Sequence, residues 1–218
     1  AEAAEIVKTI YASGYPDRMV LQKMVPGGDD HMRVLTAFSD ENGKVRAMCL
    51  GHTMVEEHTP HGLGNHAAIV SEDTTSLPLV ENIRKMLEAC RYTGFSNFDI
   101  KYSGIPGDYR VFEINLRQGR SNYYVTGAGY NLAKYLVEDV IEHKPCALTM
   151  TQNRHLWWVI PPKVAYDYVN PRYHQEMRAL ERANAAVNPL FYRPDNGLMH
   201  KLRILRGQHR YVGWYASC

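Results

Sequence analysis

The sequence has little excess charge of either sign. Its 218 residues carry 25 Lys and Arg against 23 Asp and Glu, which leaves a net charge of +2. A strong excess of basic or acidic residues would indicate a nucleic-acid or membrane-surface partner, and this chain has no such excess. Charge therefore supports neither class of protein, and we expect no nucleic-acid partner.

Long apolar runs are also missing. No stretch approaches the roughly 18 to 20 apolar residues that a membrane-spanning helix needs. The first residues, AEAAEIVKTIYASG, include Glu2 and Glu5 and lack the basic start of a secretory signal peptide. We therefore predict a cytoplasmic protein without a membrane span.

Cysteine is scarce, and its spacing is uninformative. No two of the four cysteines form a C-x-x-C pair, and their separations fit no zinc ribbon. They are Cys49, Cys90, Cys146 and Cys218. The simplest interpretation is reduced thiols in the core of a cytosolic protein.

What is present predicts an α+β protein with a mostly antiparallel sheet and flanking helices. Asn42-Gly43 indicates a tight hairpin turn, and Asn131 is a suitable helix N-cap. Helices are predicted at 2–13, 79–92, 131–143 and near 172–186. Strands are predicted at 19–24, 31–39, 44–57, 67–71, 95–103 and 109–116.

The composition changes after Pro145, which predicts a boundary between residues 1–145 and an appended segment, 146–218. The fold of this segment is not predicted by its pattern. Its basic, aromatic tail (residues 201–215) suits a packed pair of amphipathic strands, or alternatively a surface for RNA or an anionic precursor. Trp157 and Trp158 are expected in the core or at a subdomain interface.

Two predicted strands turn carboxylates to one face. Side chains alternate along a strand, so Asp99 shares a face with Asn97 and Lys101, and Glu113 shares one with Tyr109, Val111 and Asn115. A turn over 104–108 pairs Ser103 with Tyr109, Lys101 with Val111, Asp99 with Glu113 and Asn97 with Asn115. Like charges at facing positions are destabilising, which favours a hard divalent cation between them.

A solvated polar face, with Lys101 neutralising one acid, is the alternative explanation for these carboxylates. Arg117 and Arg120 follow at once, and arginine suits bidentate recognition of phosphate or carboxylate. Carboxylates for a metal beside arginines for oxyanions are typical of phosphoryl transfer, which depends on positioning and charge neutralisation.

The stretches FSNFDIKY and VFEINLRQGRSNYYVTGAG resemble the C-terminal half of the ATP-grasp fold, in bacterial carboxylate–amine ligases related to D-aspartate ligase. The resemblance covers roughly residues 1–144. It implies that Asp99, Glu113 and Asn115 bind the metal. It also implies that Arg117 holds the terminal phosphate or the acyl-phosphate, with Arg120 as a second candidate for the acyl-phosphate oxygens.

The stretch LQKMVPGGDD is similar to the hinge that binds adenine in this family. By this resemblance Gln22, Lys23, Met24 and Val25 line the base, and Asp29 or Asp30 reaches the ribose. Arg33, just beyond, is either a phosphate ligand or a solvated arginine. The implied cofactors are ATP and Mg²⁺, with Mn²⁺ as a substitute.

The implied reaction joins a small-molecule carboxylate to an amine through an acyl-phosphate, in an enzyme that can be oligomeric. From the resemblance alone, a peptidoglycan cross-bridge amino acid is the first candidate, and a dipeptide or another small amide is the alternative. Lysines that hold the phosphates in this family are absent here, so we expect a further N-terminal part outside this sequence and an inactive fragment. The alternative function is a non-catalytic nucleotide-binding or regulatory module.

Four histidines lie close together in GHTMVEEHTPHGLGNH, namely His52, His58, His61 and His66. Histidine suits zinc, but no pair has the H-E-x-x-H spacing of a helical zinc site. A loop that closes over the nucleotide or the acceptor is favoured over a zinc site, with plain surface histidines as the third alternative.

Overall fold

The structure is a computed structural model that describes residues 2–59, 62–192, 194 and 197–217. The described helices are Glu2–Ala12 (α1), Pro78–Ala89 (α2), Tyr123–Gly127 (α3), Leu132–Val140 (α4), Pro162–Tyr168 (α5), His174–Arg182 (α6) and Leu198–Ala216 (α7). The strands are Met32–Ser39 (β1), Val45–Glu56 (β2), His66–Ser71 (β3), Gly94–Tyr102 (β4), Tyr109–Asn115 (β5), Thr149–Met150 (β6), Leu156–Trp158 (β7) and Ala186–Val187 (β8).

All eight strands belong to one sheet, in the order β5-β4-β1-β2-β3-β7-β8, with β6 beside β2. Five of its pairings are antiparallel, and only the short β2–β6 and β7–β8 pairings are parallel. The predicted α+β class, with a mostly antiparallel sheet and flanking helices, is therefore confirmed.

The two faces of the sheet pack against different helices. Leu35, Phe98 and Ile100 lie on one face and contact α2 through Ile83 and Leu87. On the other face, the cluster around Val34, Ile69 and Tyr124 brings α3 and the start of α4 onto the sheet. The strands β4 and β5 extend beyond this cover, so their polar face remains open at the edge of the sheet.

A glycine permits this close approach of α3. A Cβ atom at Gly51 would lie 2.6 Å from Ile69 Cγ2 and 3.0 Å from the Tyr124 ring. Because such distances are too short for real Cβ contacts, only glycine lets Tyr124 reach β2. The Tyr124 hydroxyl then donates a 2.7 Å hydrogen bond to the Cys49 carbonyl on β2.

The C-terminal segment is part of the same sheet. Trp157 and Trp158 pair with β3, and both are buried. Helices α5, α6 and α7 pack around a third cluster that contains Trp158 and Tyr215. The predicted boundary near residue 145 therefore does not coincide with a break in the sheet, and the two tryptophans lie in the core as expected.

Two predicted elements are wrong. Residues 19–24 form no regular secondary structure and pair with no strand of the described chain. The tail over 201–215 is helix α7, not a pair of strands. Its inward residues, Gln208, Tyr211 and Tyr215, recur every three or four positions, which is the helical period. This periodicity outweighs the aromatic content that suggested strands.

The cysteines are free thiols where the structure describes them. Cys49 is buried, Cys146 is half-buried and Cys90 is exposed, so only Cys49 fits the predicted core position. Burial raises the pKa of the Cys49 thiol to about 12, which makes it unreactive. Cys218 lies outside the described residues.

No helix in the described ranges is both long enough and apolar enough to cross a membrane.

Candidate active site

Strands β4 and β5 bring the predicted metal ligands together. Asp99 faces Glu113, and Asn97 faces Asn115, as the sequence predicted. The Asn115 side chain donates to Asp99 Oδ2 at 3.3 Å, and its Oδ1 accepts from Arg117 at 3.1 Å. Two carboxylates, an amide and a guanidinium therefore form one continuous polar face.

The register of these strands differs from the prediction near the turn. A bulge between Asp99 and Ile100 leaves Phe112 unpaired, so Lys101 faces Arg110 and Ile100 faces Val111. The predicted pairs of Lys101 with Val111 and Ser103 with Tyr109 are therefore wrong.

The bulge also changes which side chains share a face with Glu113. Val111 and Tyr109 turn to the apolar face, where they pack on the α2 cluster, instead of lying beside Glu113. Phe112 turns toward the cleft that contains Glu113. The bulge therefore places an aromatic ring beside the carboxylates without moving Asp99 and Glu113 apart in register.

The electrostatics of this face suit a divalent cation. Glu113 is exposed, and its carboxylate makes no hydrogen bond or ion pair with any residue that the structure describes. Its carboxylate faces that of Asp99, and the amide of Asn115 lies next to them, with its nitrogen on Asp99 and its oxygen on Arg117. Hard oxygen donors of this kind fit Mg²⁺, because Mg²⁺ takes one or two carboxylates and fills its remaining positions with phosphate and water.

Buried hydrogen bonds attach the loop after β5 to the sheet. Asn97 is buried, and its Nδ2 donates a 2.7 Å hydrogen bond to the Arg117 carbonyl. Asn97 Oδ1 accepts in turn from Thr36 at 2.7 Å, and the Tyr124 hydroxyl lies 3.1 Å from Thr36 Oγ1. These buried hydrogen bonds fix the backbone that presents Arg117 to the cleft.

His66 is a site residue that the sequence did not single out for this role. It begins β3, is 8% exposed, and has Nε2 3.5 Å from Asp99 Oδ1. Thr53 Oγ1 lies 3.0 Å from its other ring nitrogen and so fixes the ring. His66 starts a strand that follows a glycine-rich loop, but its contact with Asp99 depends on pairing across the sheet. That pairing left no signal near His66 in the sequence.

The second predicted arginine, Arg120, lines the same cleft as Arg117, Asp99 and His66. Its guanidinium forms an ion pair with Glu57 Oε2. The Glu57 side chain is only 7% exposed, so this carboxylate belongs to the protein's interior.

The predicted hinge residues line an adjoining cleft. Gln22, Lys23, Met24 and Val25 lie with Glu113 around a space of about 480 Å³, which is within the range of small-molecule sites. The Gln22 side chain donates a 3.2 Å hydrogen bond to the Phe112 carbonyl at the bulge. The remaining lining residues are Met32, Glu56, Gly64, Asp99, Lys101 and Phe112.

Asp29 and Asp30, the predicted ribose ligands, are engaged by the protein. Asp29 Oδ2 accepts the Glu56 amide at 2.9 Å. Asp30 Oδ2 accepts from Arg172 at 2.6 Å and from Asn170 at 3.2 Å. The structure thus ties the hinge to the C-terminal segment through Asp30.

Arg33 does not lie with the other predicted ligands. Its neighbours across the sheet are Ile100 and His52, which places it on the face opposite Asp99 and Glu113. Its Nε donates to Glu72 at 2.9 Å, and the side chain is 11% exposed. It is therefore neither at the cleft nor a solvated arginine, because its charge is neutralised by Glu72, which lies 39 residues further along the chain.

The histidines considered for a zinc site, where the structure describes them, lie beside different acidic residues. His52 lies beside Glu72, His58 lies beside Asp29, and His66 lies beside Asp99. No group of three or more His, Cys, Asp or Glu side chains in the described ranges is arranged to hold a metal ion. His61 lies outside those ranges, and the other three do not form a zinc site.

The chain is similar to a curated protein, D-aspartate ligase from Enterococcus faecium (strain Aus0004). The two are 36% identical over 213 residues, which is 95% of this chain and 50% of that protein. The resemblance to the ligases related to D-aspartate ligase is therefore confirmed. The chain spans about half the length of this relative. No protein-family model matches the chain.

Solved structures show weaker likenesses. The biotin carboxylase domain of Hydrogenobacter thermophilus 2-oxoglutarate carboxylase, in complex with MgADP, ADP and bicarbonate, has a TM-score of 0.46 and 11% identity, covering 62% of this chain and 31% of that one. N5-carboxyaminoimidazole synthetase from Staphylococcus aureus, complexed with ADP, has a TM-score of 0.45 and 14% identity, covering 66% and 38%.

Proposed function

We propose that the chain carries the metal- and phosphate-binding part of the active site of an ATP-dependent carboxylate–amine ligase. The observation that carries this proposal is the facing pair Asp99 and Glu113, joined through Asn115 to Arg117. The similarity to D-aspartate ligase supports the same class of reaction.

In this proposal Asp99, Glu113 and Asn115 hold Mg²⁺. Bound there, the ion would supply the positive charge that offsets the negative charge developing during phosphoryl transfer. The backbone of residues 22–25 would bind adenine. The exposed apolar side chain of Met24, 86% accessible, would cover the base together with Phe112.

The proposed reaction has two steps. A carboxylate oxygen of the substrate attacks the γ-phosphorus of ATP, the bond to the β-phosphate oxygen breaks, and ADP leaves. The amine then attacks the carbonyl carbon of the acyl-phosphate, loses a proton, and phosphate leaves as the amide bond forms. Arg117 and Arg120 would bind the oxyanions of the substrate carboxylate and of the acyl-phosphate formed from it, because a guanidinium pairs with such oxygens in a bidentate manner.

The name of the relative suggests the substrates. We propose a small amino acid such as D-aspartate as the carboxylate and an amine of a cell-wall precursor as the acceptor, in the cytoplasm. Ser121 lines the cleft beside Arg120 and would lie on the acceptor side. An oligomeric enzyme is compatible with this proposal.

The test is ADP release by the complete gene product that carries this chain. The assay contains MgATP, a panel of L- and D-amino acids, and amine acceptors, with Mn²⁺ replacing Mg²⁺ in one series and Glu113→Ala as the control. We expect release that depends on one acid–amine pair and disappears in the variant.

Two results would contradict parts of this proposal. If MgATP binds but no pair supports release, a nucleotide-binding regulatory module is favoured. If release is the same in Glu113→Ala, the proposed metal site is wrong.

A further inference from the structure

The ion pair between Arg120 and Glu57 joins two loops across the cleft. Arg120 is on the loop after β5, and Glu57 directly follows β2. Their side chains differ in exposure, 47% for Arg120 and 7% for Glu57. A buried carboxylate with one partly exposed cation beside it can hold that cation in place while leaving part of the guanidinium accessible.

The C-terminal helix α7 fixes the Glu57 carboxylate. The Tyr211 hydroxyl donates to Glu57 Oε1 at 3.2 Å, and Thr59 donates to the same oxygen at 3.0 Å. One turn further along α7, Tyr215 donates to the Glu56 carbonyl at 2.5 Å. The end of β2 is therefore attached to α7 through both a side chain and the backbone.

Close packing and the protonated phenol of Tyr211 keep the Glu57 carboxylate in one position. A Cβ atom at Gly62 would lie 2.4 Å from Glu57 Cδ, so only glycine lets the backbone at position 62 lie this close to the carboxylate. Burial and the nearby charge of Glu57 raise the pKa of Tyr211. Its phenol therefore stays protonated and remains a donor to the carboxylate at neutral pH.

An arginine held in this way is suited to bind an anion. A guanidinium has five N–H donors, and Glu57 engages Nη2. The others can meet a substrate oxyanion in the cleft, and less side-chain entropy is lost when the arginine is already fixed.

We propose that Glu57 and Tyr211 are positioning residues for Arg120, so that helix α7 sets the affinity of the site for its carboxylate substrate. This inference rests on the ligase proposed above. It gives residues 198–216 a part in the reaction, although α7 begins 78 positions after Arg120 in the sequence.

The experiment is a double-mutant cycle in the complete gene product, measured by ADP release. Tyr211→Phe keeps the ring and removes the donor, and we expect it to raise KM for the carboxylate substrate about tenfold while KM for ATP stays unchanged. Glu57→Gln should raise the same KM at least as much. In an Arg120→Ala background, Tyr211→Phe should change KM by less than about twofold, because its effect passes through Arg120.

The matched control is Tyr168→Phe. Tyr168 is also on the C-terminal segment and contacts the ring of Tyr215, but its hydroxyl has no hydrogen-bond partner among the described residues. This variant should leave both KM values unchanged. An unchanged KM in Tyr211→Phe, or an equal rise with and without Arg120, would overturn the proposal.

A second measurement separates this inference from the ligase itself. If the wild-type protein releases no ADP with any acid, the proposed function fails, and the positioning of Arg120 is read from its ¹⁵N side-chain resonance. Tyr211→Phe should shift the Arg120 Nε–Hε signal, and Tyr168→Phe should not. A signal that is the same in both variants would show that Tyr211 does not position Arg120.

Discussion

The two faces of the sheet around β1 carry charged clusters that differ in how their charges are balanced. On one face, Arg33 is bound by Glu72 at 2.9 Å and also donates to the Asp30 and Met32 carbonyls. On the other, the carboxylates of Asp99 and Glu113 face each other, and Glu113 has no partner among the described residues. The first cluster is complete within the fold, whereas the second leaves the Glu113 carboxylate open to a ligand.

This difference separates a structural charge from a functional one. Both clusters contain residue types that suit phosphate or metal binding, so residue type alone does not distinguish them. Removing a partner from the complete cluster should cost stability, because it leaves a buried charge alone. Removing a carboxylate from the open cluster should cost activity and leave stability intact.

The largest effect is expected for Glu113→Gln. It removes a proposed metal ligand, so acid-dependent ADP release should fall by about 100-fold or more. The unfolding free energy should stay the same or rise by up to about 1 kcal/mol, because two facing like charges are reduced to one. Steady-state kinetics and urea unfolding measure the two quantities.

The control for this variant is Glu142→Gln, which alters an exposed surface ion pair with Lys144. It should change neither quantity measurably. A large loss of stability in Glu113→Gln would mean that Glu113 is structural, as Glu72 is.

The second prediction concerns the complete cluster. Glu72→Ala leaves Arg33 and His52 buried without their carboxylate, so the unfolding free energy should fall by about 3 kcal/mol. At a temperature where the variant is folded, nucleotide binding should match that of the wild type. Urea unfolding and nucleotide titration measure these, and a loss of nucleotide binding in folded Glu72→Ala would place Arg33 in the site after all.

The third prediction uses pH to separate the clusters. Burial opposes the ionisation of Glu72, but the hydrogen bond with His52 and the charge of Arg33 outweigh it and lower the pKa of Glu72 below its ordinary 4.5. A lowered pKa stabilises the folded protein above the ordinary value, and this stability is lost as pH falls through the folded pKa. The wild-type protein should therefore lose stability below about pH 4.5.

The Glu72→Gln variant should lose less stability over the same interval, since it has no proton to take up at this position. Urea unfolding at several pH values between 7 and 3 measures the slope. Parallel slopes for the wild type and the variant would contradict the role assigned to Glu72.

The open cluster was largely predictable from the sequence, and the complete one was not. Alternation along two adjacent strands paired Asp99 with Glu113 although the predicted pairing at the turn was one residue off, because the bulge at Phe112 compensates that shift. The bulge at Phe112 was missed because it depends on how Tyr109 and Val111 pack against α2, which local alternation does not contain. The Arg33–Glu72 pair was missed because it joins residues that only the folded sheet brings together.

The C-terminal segment shows the same limit. Its pairing with β3 and its contact with Glu57 depend on a chain path that no local pattern records. Residues 19–24 show the opposite error. Their apolar sequence favours a strand, but no neighbouring strand of the described chain pairs with them. Local signals thus predicted elements and near pairings, while the long-range contacts around the site required the structure.

The smallest effect is expected for the substitution Thr36→Val, on strand β1. Thr36 is buried on the face of the site, and its hydroxyl donates to Asn97 Oδ1, which holds the Arg117 carbonyl through the same side chain. Losing this hydrogen bond at nearly constant volume should cost about 1 kcal/mol of unfolding free energy. The turnover number should fall only a few-fold, because Asn97 keeps its bond to the loop.

Urea unfolding and ADP release measure the effects of Thr36→Val, and Thr75→Val is the control because Thr75 is exposed and contacts only Asp73 in the described hydrogen bonds. If Thr36→Val removed activity as completely as Glu113→Gln, the buried network would belong to the chemistry of the site. A loss confined to stability would instead show that the site face, like the opposite face, rests on hydrogen bonds completed inside the fold. Only its outermost carboxylates would then be left for a ligand.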